Sequence, residues 1–432
     1  MEIINYIKNQ LVKKGADNVV VNYVKSEGKQ LKFVNNQIVK TGTEILDNIN
    51  IFVVKDKKIV STSLKELDKK SADKIIDKIM KFIKFVEPKE DYKGIAKGGF
   101  EYKEIKDRYD KKVLDMDEVD YLNKGMNKAL EFSKRVSGIL ESGSVYNYLV
   151  TSEGVDAEDK STNLYFSIRA FNEKDESGHM ATVSRMLNKF DVEDAGKRAG
   201  EIAKMVKKPV GGEAGKFDLV LGYMTSACLL NCMMESASVF NVESGMSFLQ
   251  GKIAKKICSF DFIDDGSLEN GYNSVKFDGE GSPVRKNYII KDGVLRTYLH
   301  NNSTSKKYGV KNTGNAGLIS PSPWNIIING KRGNVFDIKK GLYVTNVWYT
   351  RFNNYTTGDF STIPRDGIFL IENGKIVKSL KNIRISDNML NIMKNVALLS
   401  KKNLQIKSWE AEIPVLTPEI LVKDVNVTKP HS

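Results

Sequence analysis

Apolar residues keep helical spacing in a few short windows and alternate or cluster in many more. Residues 3–13, closed by Gly15, read as an opening helix. From 18 to 62 the chain reads as four strands, at 19–24, 30–34, 37–40 and 50–54, rich in β-branched and aromatic residues. Asn35-Asn36 and Asp56-Lys57-Lys58 supply turns between them. Ser63-Leu64-Lys65-Glu66 fits a capping box. Beyond it, Ala72, Ile75, Ile76, Ile79, Phe82, Ile83 and Val86 keep one helical face up to Pro88. A polar, irregular stretch follows over 88–112. A second amphipathic helix carries Val119, Leu122, Met126, Ala129 and Leu130, strands return at 138–153 and 163–171, and a third helix covers 192–206.

Pro209-Val210-Gly211-Gly212 breaks any helix and marks the expected boundary between an N-terminal domain, 1–210, and a C-terminal one, 211–432. Downstream, strands and hairpins dominate. A strand at 217–221 leads into a helix at 225–238. Asp292-Gly293, Asn329-Gly330 and Asn373-Gly374 each separate apolar runs and favour type I′ hairpin turns. A last helix is expected at 387–399. The pattern predicts an α+β fold: an N-terminal α/β-sandwich domain followed by a β-rich C-terminal domain with few helices.

Composition narrows the function. The 432 residues are 41% hydrophobic, 9% aromatic and 28% charged, enough apolar surface for packed cores. Lys and Arg exceed Asp and Glu by 67 to 54, a net charge of +13, which invites a nucleic-acid reading. Only 11 of those cations are Arg, and the Lys residues mostly alternate with acids, as in Lys65-Glu66-Leu67-Asp68-Lys69-Lys70. That is the pattern of a solvated helix face, and it makes a nucleic-acid partner an unlikely expectation. Three cysteines form no disulfide framework, the start has no signal-peptide pattern, and no apolar run is long enough to span a bilayer. A cytoplasmic protein with no membrane partner is expected.

Proton-transfer and metal chemistry have little to build on. His179, His300 and His431 are far apart in sequence, so no helical histidine pair exists. His179 is expected in a solvent-facing turn, His300 in a packing or capping role, and His431 in a fraying tail. Cys228 and Cys232 share one helix face, but without a second pair of ligands they read as buried inert thiols, as does Cys258. No phosphate-binding glycine loop is present. Lys311-Asn-Thr-Gly-Asn-Ala-Gly317 and Tyr355-Thr-Thr-Gly-Asp-Phe-Ser361 set hydrogen-bonding side chains beside glycines. They suit approach by a peptide backbone, and turn geometry explains them equally well. The substrate-groove candidates are therefore Asn312, Thr313, Gly314, Asn315, Gly358 and Asp359, with no catalytic or metal-binding residue assigned.

Four segments in order, Gly293-Val-Leu-Arg-Thr-Tyr-Leu299, Lys311–Gly317, Thr357-Gly-Asp-Phe-Ser361 and Gly367-Ile-Phe-Leu-Ile-Glu-Asn-Gly-Lys-Ile376, resemble the TldD/PmbA family. Ser26-Glu27-Gly28 with Val34–Val39, and the stretch 197–210, resemble it as well; the likeness runs over about residues 1–425. Members have been called modulators of DNA gyrase. The resemblance implies a two-subunit zinc peptidase acting on unfolded peptides. In that family the TldD-type subunit carries a His-Glu-x-x-x-His helix and a later cysteine ligand, and the PmbA (TldE-type) subunit lacks them. Here the corresponding helix reads Leu229-Leu-Asn-Cys-Met-Met-Glu-Ser-Ala-Ser238, with Asn231 and Ser236 near the histidine positions, and 407–412 holds no cysteine. The resemblance thus implies a PmbA-type chain with no cofactor of its own, zinc in a TldD-like catalytic subunit, and a heterodimer, or a homodimer when alone. Two other readings stay open: a hydrolase with a non-standard site using Glu235 and Asp359, and a nucleic-acid or gyrase-associated binding protein.

Overall fold

The structure, a computed structural model, describes residues 2–429; His431 lies outside them. Helix α1 (Glu2–Lys13) buries Ile4, Ile7 and Leu11, the stripe its spacing predicts. It leads into three antiparallel strands, β1 (Asn18–Val34), β2 (Gln37–Lys55) and β3 (Lys58–Leu64). The turns fall where expected: Asn35 and Asn36 have φ of 49° and 68°, Asp56 and Lys57 of 51° and 60°. Two long strands replace the four short ones expected before Asp56. The polar middle of β1, around Ser26 to Lys29, breaks the apolar pattern but stays laddered to a strand on each side. Ser63 belongs to β3, so the expected capping box does not form. Helix α2 (Lys69–Phe82) is capped instead by Asp68, which accepts from the Ser71 N–H.

After α3 (Glu118–Leu130), strands β4 (Arg135–Thr151), β5 (Asp156–Phe171) and β6 (Ser177–Ser184) complete a six-stranded sheet in the order β3-β2-β1-β4-β5-β6. Helix α4 (Val192–Met205) packs on α3. The sheet is long enough to carry two helix pairs. One core forms where α1 and α2 cover Val19, Val21, Ile51 and Val53; another forms where α3 and α4 cover Leu31, Phe33, Phe166 and Ile168. The opposite side of the sheet buries Val20, Phe52 and Leu149 against Ile95 and Phe277.

In the C-terminal half, strands Lys340–Asn354, Gly215–Leu221, Ile420–Thr428, Arg384–Asn388 and Asp359–Glu372 pair in that order, and the last returns to pair with the first. This closure leaves the ring without a free edge. A six-stranded sheet lies beside it, in the order 294–295, 286–291, 261–265, 326–329, 411–417, 404–408. Between these sheets runs α5 (Tyr223–Glu235), buried from Tyr223 to Asn231 without a break. A helix apolar on all sides needs such enclosure. The architecture is α+β and strand-rich, as expected.

Three local expectations differ from the structure. Asn329-Gly330 forms no hairpin, because strand 326–329 pairs antiparallel with 261–265 and parallel with 411–417. The helix expected at 387–399 shrinks to Met389–Lys394, flanked by strands Arg384–Asn388 and Val396–Leu399; strand pairing with 420–428 overrides the local helical spacing. His179 is not in an exposed turn. It lies buried in β6, where Nε2 meets the Ser167 hydroxyl at 2.9 Å and Nδ1 meets the Asn346 amide at 3.1 Å. No helix among the described residues is long and apolar enough to cross a membrane.

Candidate functional site

The C-terminal end of α5 and the strand Ala411–Thr417 meet at Asn231. Its Nδ2 donates to the Ile413 carbonyl at 2.8 Å, and its Oδ1 accepts from the Ile413 N–H at 2.9 Å. Both ends of a buried amide are thereby spent on docking the helix to a strand. Ser236 is buried too, and its hydroxyl donates back to the Cys232 carbonyl at 3.1 Å, the local bond that serine makes at a helix end. The Cys232 thiol is held well above its usual range by a hydrogen bond to Cys228, by burial and by the nearby Glu235 and Glu410 charges. A thiol held protonated is a poor nucleophile and a poor ligand. Glu235 is raised by desolvation and by Glu412. Among the described residues no three His, Cys, Asp or Glu side chains come together as a metal ion requires. The donor set at the end of α5 does not fit a zinc.

Next to this helix end the strand Lys340–Asn354 loses register between Trp348 and Arg351. Tyr349 takes a positive φ of 56°, and its N–H donates to Glu410 at 3.0 Å. Trp348, Tyr349 and Trp409 meet edge-on, Trp348 and Trp409 with centroids 5.3 Å apart. The Arg169 and Arg365 guanidinium groups each lie 4.4 Å from the Trp348 ring centre. Nothing local in the sequence signals this aromatic and arginine cluster, because strand pairing and a bulge assemble it from four separate segments.

The first candidate loop is mostly buried. Asn315 is completely enclosed. Its amide donates to Asp264 at 2.7 Å and to the Ser322 carbonyl at 3.0 Å, and its oxygen accepts from Asn287 at 3.2 Å. Thr313 bridges both backbone groups of His300, at 2.7 and 2.8 Å. Asn312 bonds Ser282 and accepts from the Gly314 N–H. Gly314 has φ 69°, and a Cβ there would sit 2.6 Å from the Pro283 carbonyl oxygen. These groups surround carboxylates that sequence reasoning missed. Asp264 accepts from the Trp324 N–H at 2.6 Å, and burial pushes its carboxyl up to about 7. Asp278 accepts backbone N–H groups of Glu280, Ser282 and Ala316, and burial raises both Asp278 and Glu280. Each is an ordinary-looking acid in a turn or strand, so no spacing singled it out. Turn and network geometry account for this loop, and Asn315 has no surface to offer a peptide.

The second loop differs. Asp359 is exposed, accepting from the Thr357 hydroxyl at 2.6 Å and the Asn388 amide at 2.8 Å, and these bonds hold its carboxyl below the usual range. Gly358 has φ 86° and packs its Cα side against Phe248. No hydrogen bond among the described residues joins this loop to the first, and the two serve different networks.

Two sequence profiles match the chain: the PmbA/TldA metallopeptidase central domain over residues 109–206 and the C-terminal domain over 214–429. The chain belongs to the TldD/PmbA family. It is 28% identical over 382 residues to an uncharacterized protein of Methanocaldococcus jannaschii, covering 84% of this chain and 87% of that one. It is 29% identical over 287 residues to a metalloprotease TldD homolog of Buchnera aphidicola, covering 60% of this chain and 59% of that one. The TldE structure from Thermococcus kodakarensis superposes with a TM-score of 0.87 at 21% identity, over 99% of this chain and 100% of that one. At that identity the likeness is one of fold.

Proposed function

We propose that this chain is the non-metal-binding subunit of a two-subunit TldD/PmbA-type peptidase that acts on unfolded peptides. It would shape and line the substrate chamber, with zinc held by a TldD-like catalytic subunit. The observation that supports this reading is Asn231. A catalytic zinc helix must present its ligands to an open coordination position. Here the corresponding side chain is committed at both ends to the Ile413 backbone, and the neighbouring thiol is held protonated. The division at about 210 into two domains belongs to the same proposal.

A self-sufficient hydrolase using Glu235 and Asp359 gains no support, since the two share no hydrogen-bond partner among the described residues. The lysines on the helices pair locally with acids, as Lys124 with Asp120, Lys128 with Glu131 and Lys197 with Glu201, which suits a solvated surface rather than a nucleic-acid groove. The test is reconstitution. Unstructured peptide should be cleaved when this chain is mixed with a related chain bearing His-Glu-x-x-x-His, and should stay intact with this chain alone. Cleavage by this chain alone would contradict the proposal.

A further inference from the structure

The apolar face of α2 is wider than the core beneath it. Ala72, Ile76, Ile79 and Ile83 are buried there, whereas Phe82 on the same face is 60% exposed and Phe85, in the helical turn Ile83–Phe85 that follows, is 84% exposed. Bare aromatic rings at the end of an otherwise packed helix mark a surface that binds something. Beside them lies a strand edge. Strand β3 pairs with β2 and with no other strand among the described residues, so its outer N–H and C=O groups are open to another chain.

A groove of about 580 Å³ runs between that edge and the helix. Val60, Ser61 and Thr62, three successive residues of β3, line one wall. Successive side chains of a strand point to opposite faces, so a groove that touches all three follows the backbone edge. Ile75, Phe82 and Phe85 line the other wall. Lys78 and Lys81 stand in that helix wall, and no acid lines the groove. The acids of α2 are engaged elsewhere: Asp77 pairs with Lys14, and Asp73 accepts from the Tyr6 hydroxyl. Neither Lys78 nor Lys81 makes an ion pair among the described residues.

We propose that this groove binds an acidic, extended segment of another protein, added to the sheet as a strand beside β3. Its apolar side chains seat on Phe82 and Phe85, and its carboxylates meet Lys78 and Lys81. Each feature selects one part of this ligand. The open edge calls for an extended backbone, the bare rings for apolar side chains, and the unpaired ammonium groups for carboxylates. A lipid surface would use the rings and the cations but not the edge. A two-fold contact with a second copy would add another set of the same cations. The groove shares no residue with the end of α5 and does not depend on the proposed peptidase role.

Fluorescence anisotropy of a labelled peptide made of Glu-Glu-Val-Val repeats, titrated with the full chain, tests it. The repeat gives each face of an extended peptide both acidic and apolar side chains. It should bind with a Kd on the order of 10 μM, and the same peptide with Lys in place of Glu should bind at least roughly tenfold more weakly. Lys78→Glu together with Lys81→Glu should reverse that preference. Phe82→Ser together with Phe85→Ser should weaken the Glu peptide by roughly tenfold. Bound peptide should slow amide hydrogen exchange over residues 58–64, as strand addition requires. Equal binding of the two peptides overturns the inference, and so does a preference indifferent to the charge reversal, or exchange at 58–64 that does not slow. If the Glu peptide stays free while vesicles of phosphatidylcholine and phosphatidylserine sediment the chain, the face is a membrane-surface site and the peptide assignment is wrong. If it stays free and the phenylalanine variant splits a dimer of the parent, a second copy covers the groove instead. Far-ultraviolet circular dichroism of each variant shows that the exposed positions leave folding intact.

Discussion

The loops at 312–317 and 355–361 look alike as sequence, each setting glycine beside threonine and other side chains able to bind a backbone. In the folded chain they have opposite fates. Asn315 is enclosed and makes three hydrogen bonds that hold an acid in the interior. Asp359 stands in water and accepts only from Thr357 in its own turn and from Asn388 on the neighbouring strand. A polar side chain that has replaced all its water contacts with protein contacts serves the fold; one that keeps solvent stays available to a ligand. Hydrogen-bonding capacity alone does not identify a recognition site, and what surrounds the loop decides.

Substitution should separate the two loops sharply. Asn315→Ala strips Asp264, Asn287 and the Ser322 carbonyl of a buried partner, and should cost about 3 kcal/mol in denaturant unfolding. A loss under 1 kcal/mol would mean that water replaces the amide, and that the loop is more open than its burial suggests. The Asp264 carboxyl gives a pH signature of the same network. Its folded value, about 7, lies above its unfolded value of about 3.9, so the folded chain holds a proton that the unfolded chain releases. Its contribution is therefore present at low pH and is lost as pH rises from about 4 to about 7. Asp264→Asn removes that loss. Whatever its cost at low pH, the variant's unfolding free energy should change by about 3 kcal/mol more in the upward direction than the parent's across this window. Parallel curves would show an ordinary, ionised carboxylate. At the other loop, Asp359→Ala should change stability by about 0.5 kcal/mol or less, as exposed positions do. If Asp359 takes part in the proposed chamber, peptide turnover by the reconstituted pair should fall while stability holds.

The sequence made the periodic elements readable. The helices α1, α3, α4 and α5 and the hairpins at Asn35-Asn36, Asp292-Gly293 and Asn373-Gly374 follow from local spacing and from residues that tolerate positive φ. What could not be read is what distant pairing imposes. The polar middle of β1 is a strand because β2 and β4 ladder it, and Val396–Leu399 is a strand because 420–428 does the same. His179 is buried because Asn346 and Asp366 arrive from well over a hundred residues away, and burial pushes its imidazole down to about 4, the neutral form. Asn231 was noticed only through the family resemblance, and its bond to Ile413 spans 182 residues.

The central claim is that the end of α5 holds no catalytic metal. The direct measurement is the zinc content of the full chain, purified without chelator from zinc-supplemented cells and assayed alone by elemental analysis. The account predicts well under one zinc per chain, and no gain in metal after dialysis against micromolar zinc. One tightly held zinc per chain, lost together with peptidase activity on chelation, would contradict it.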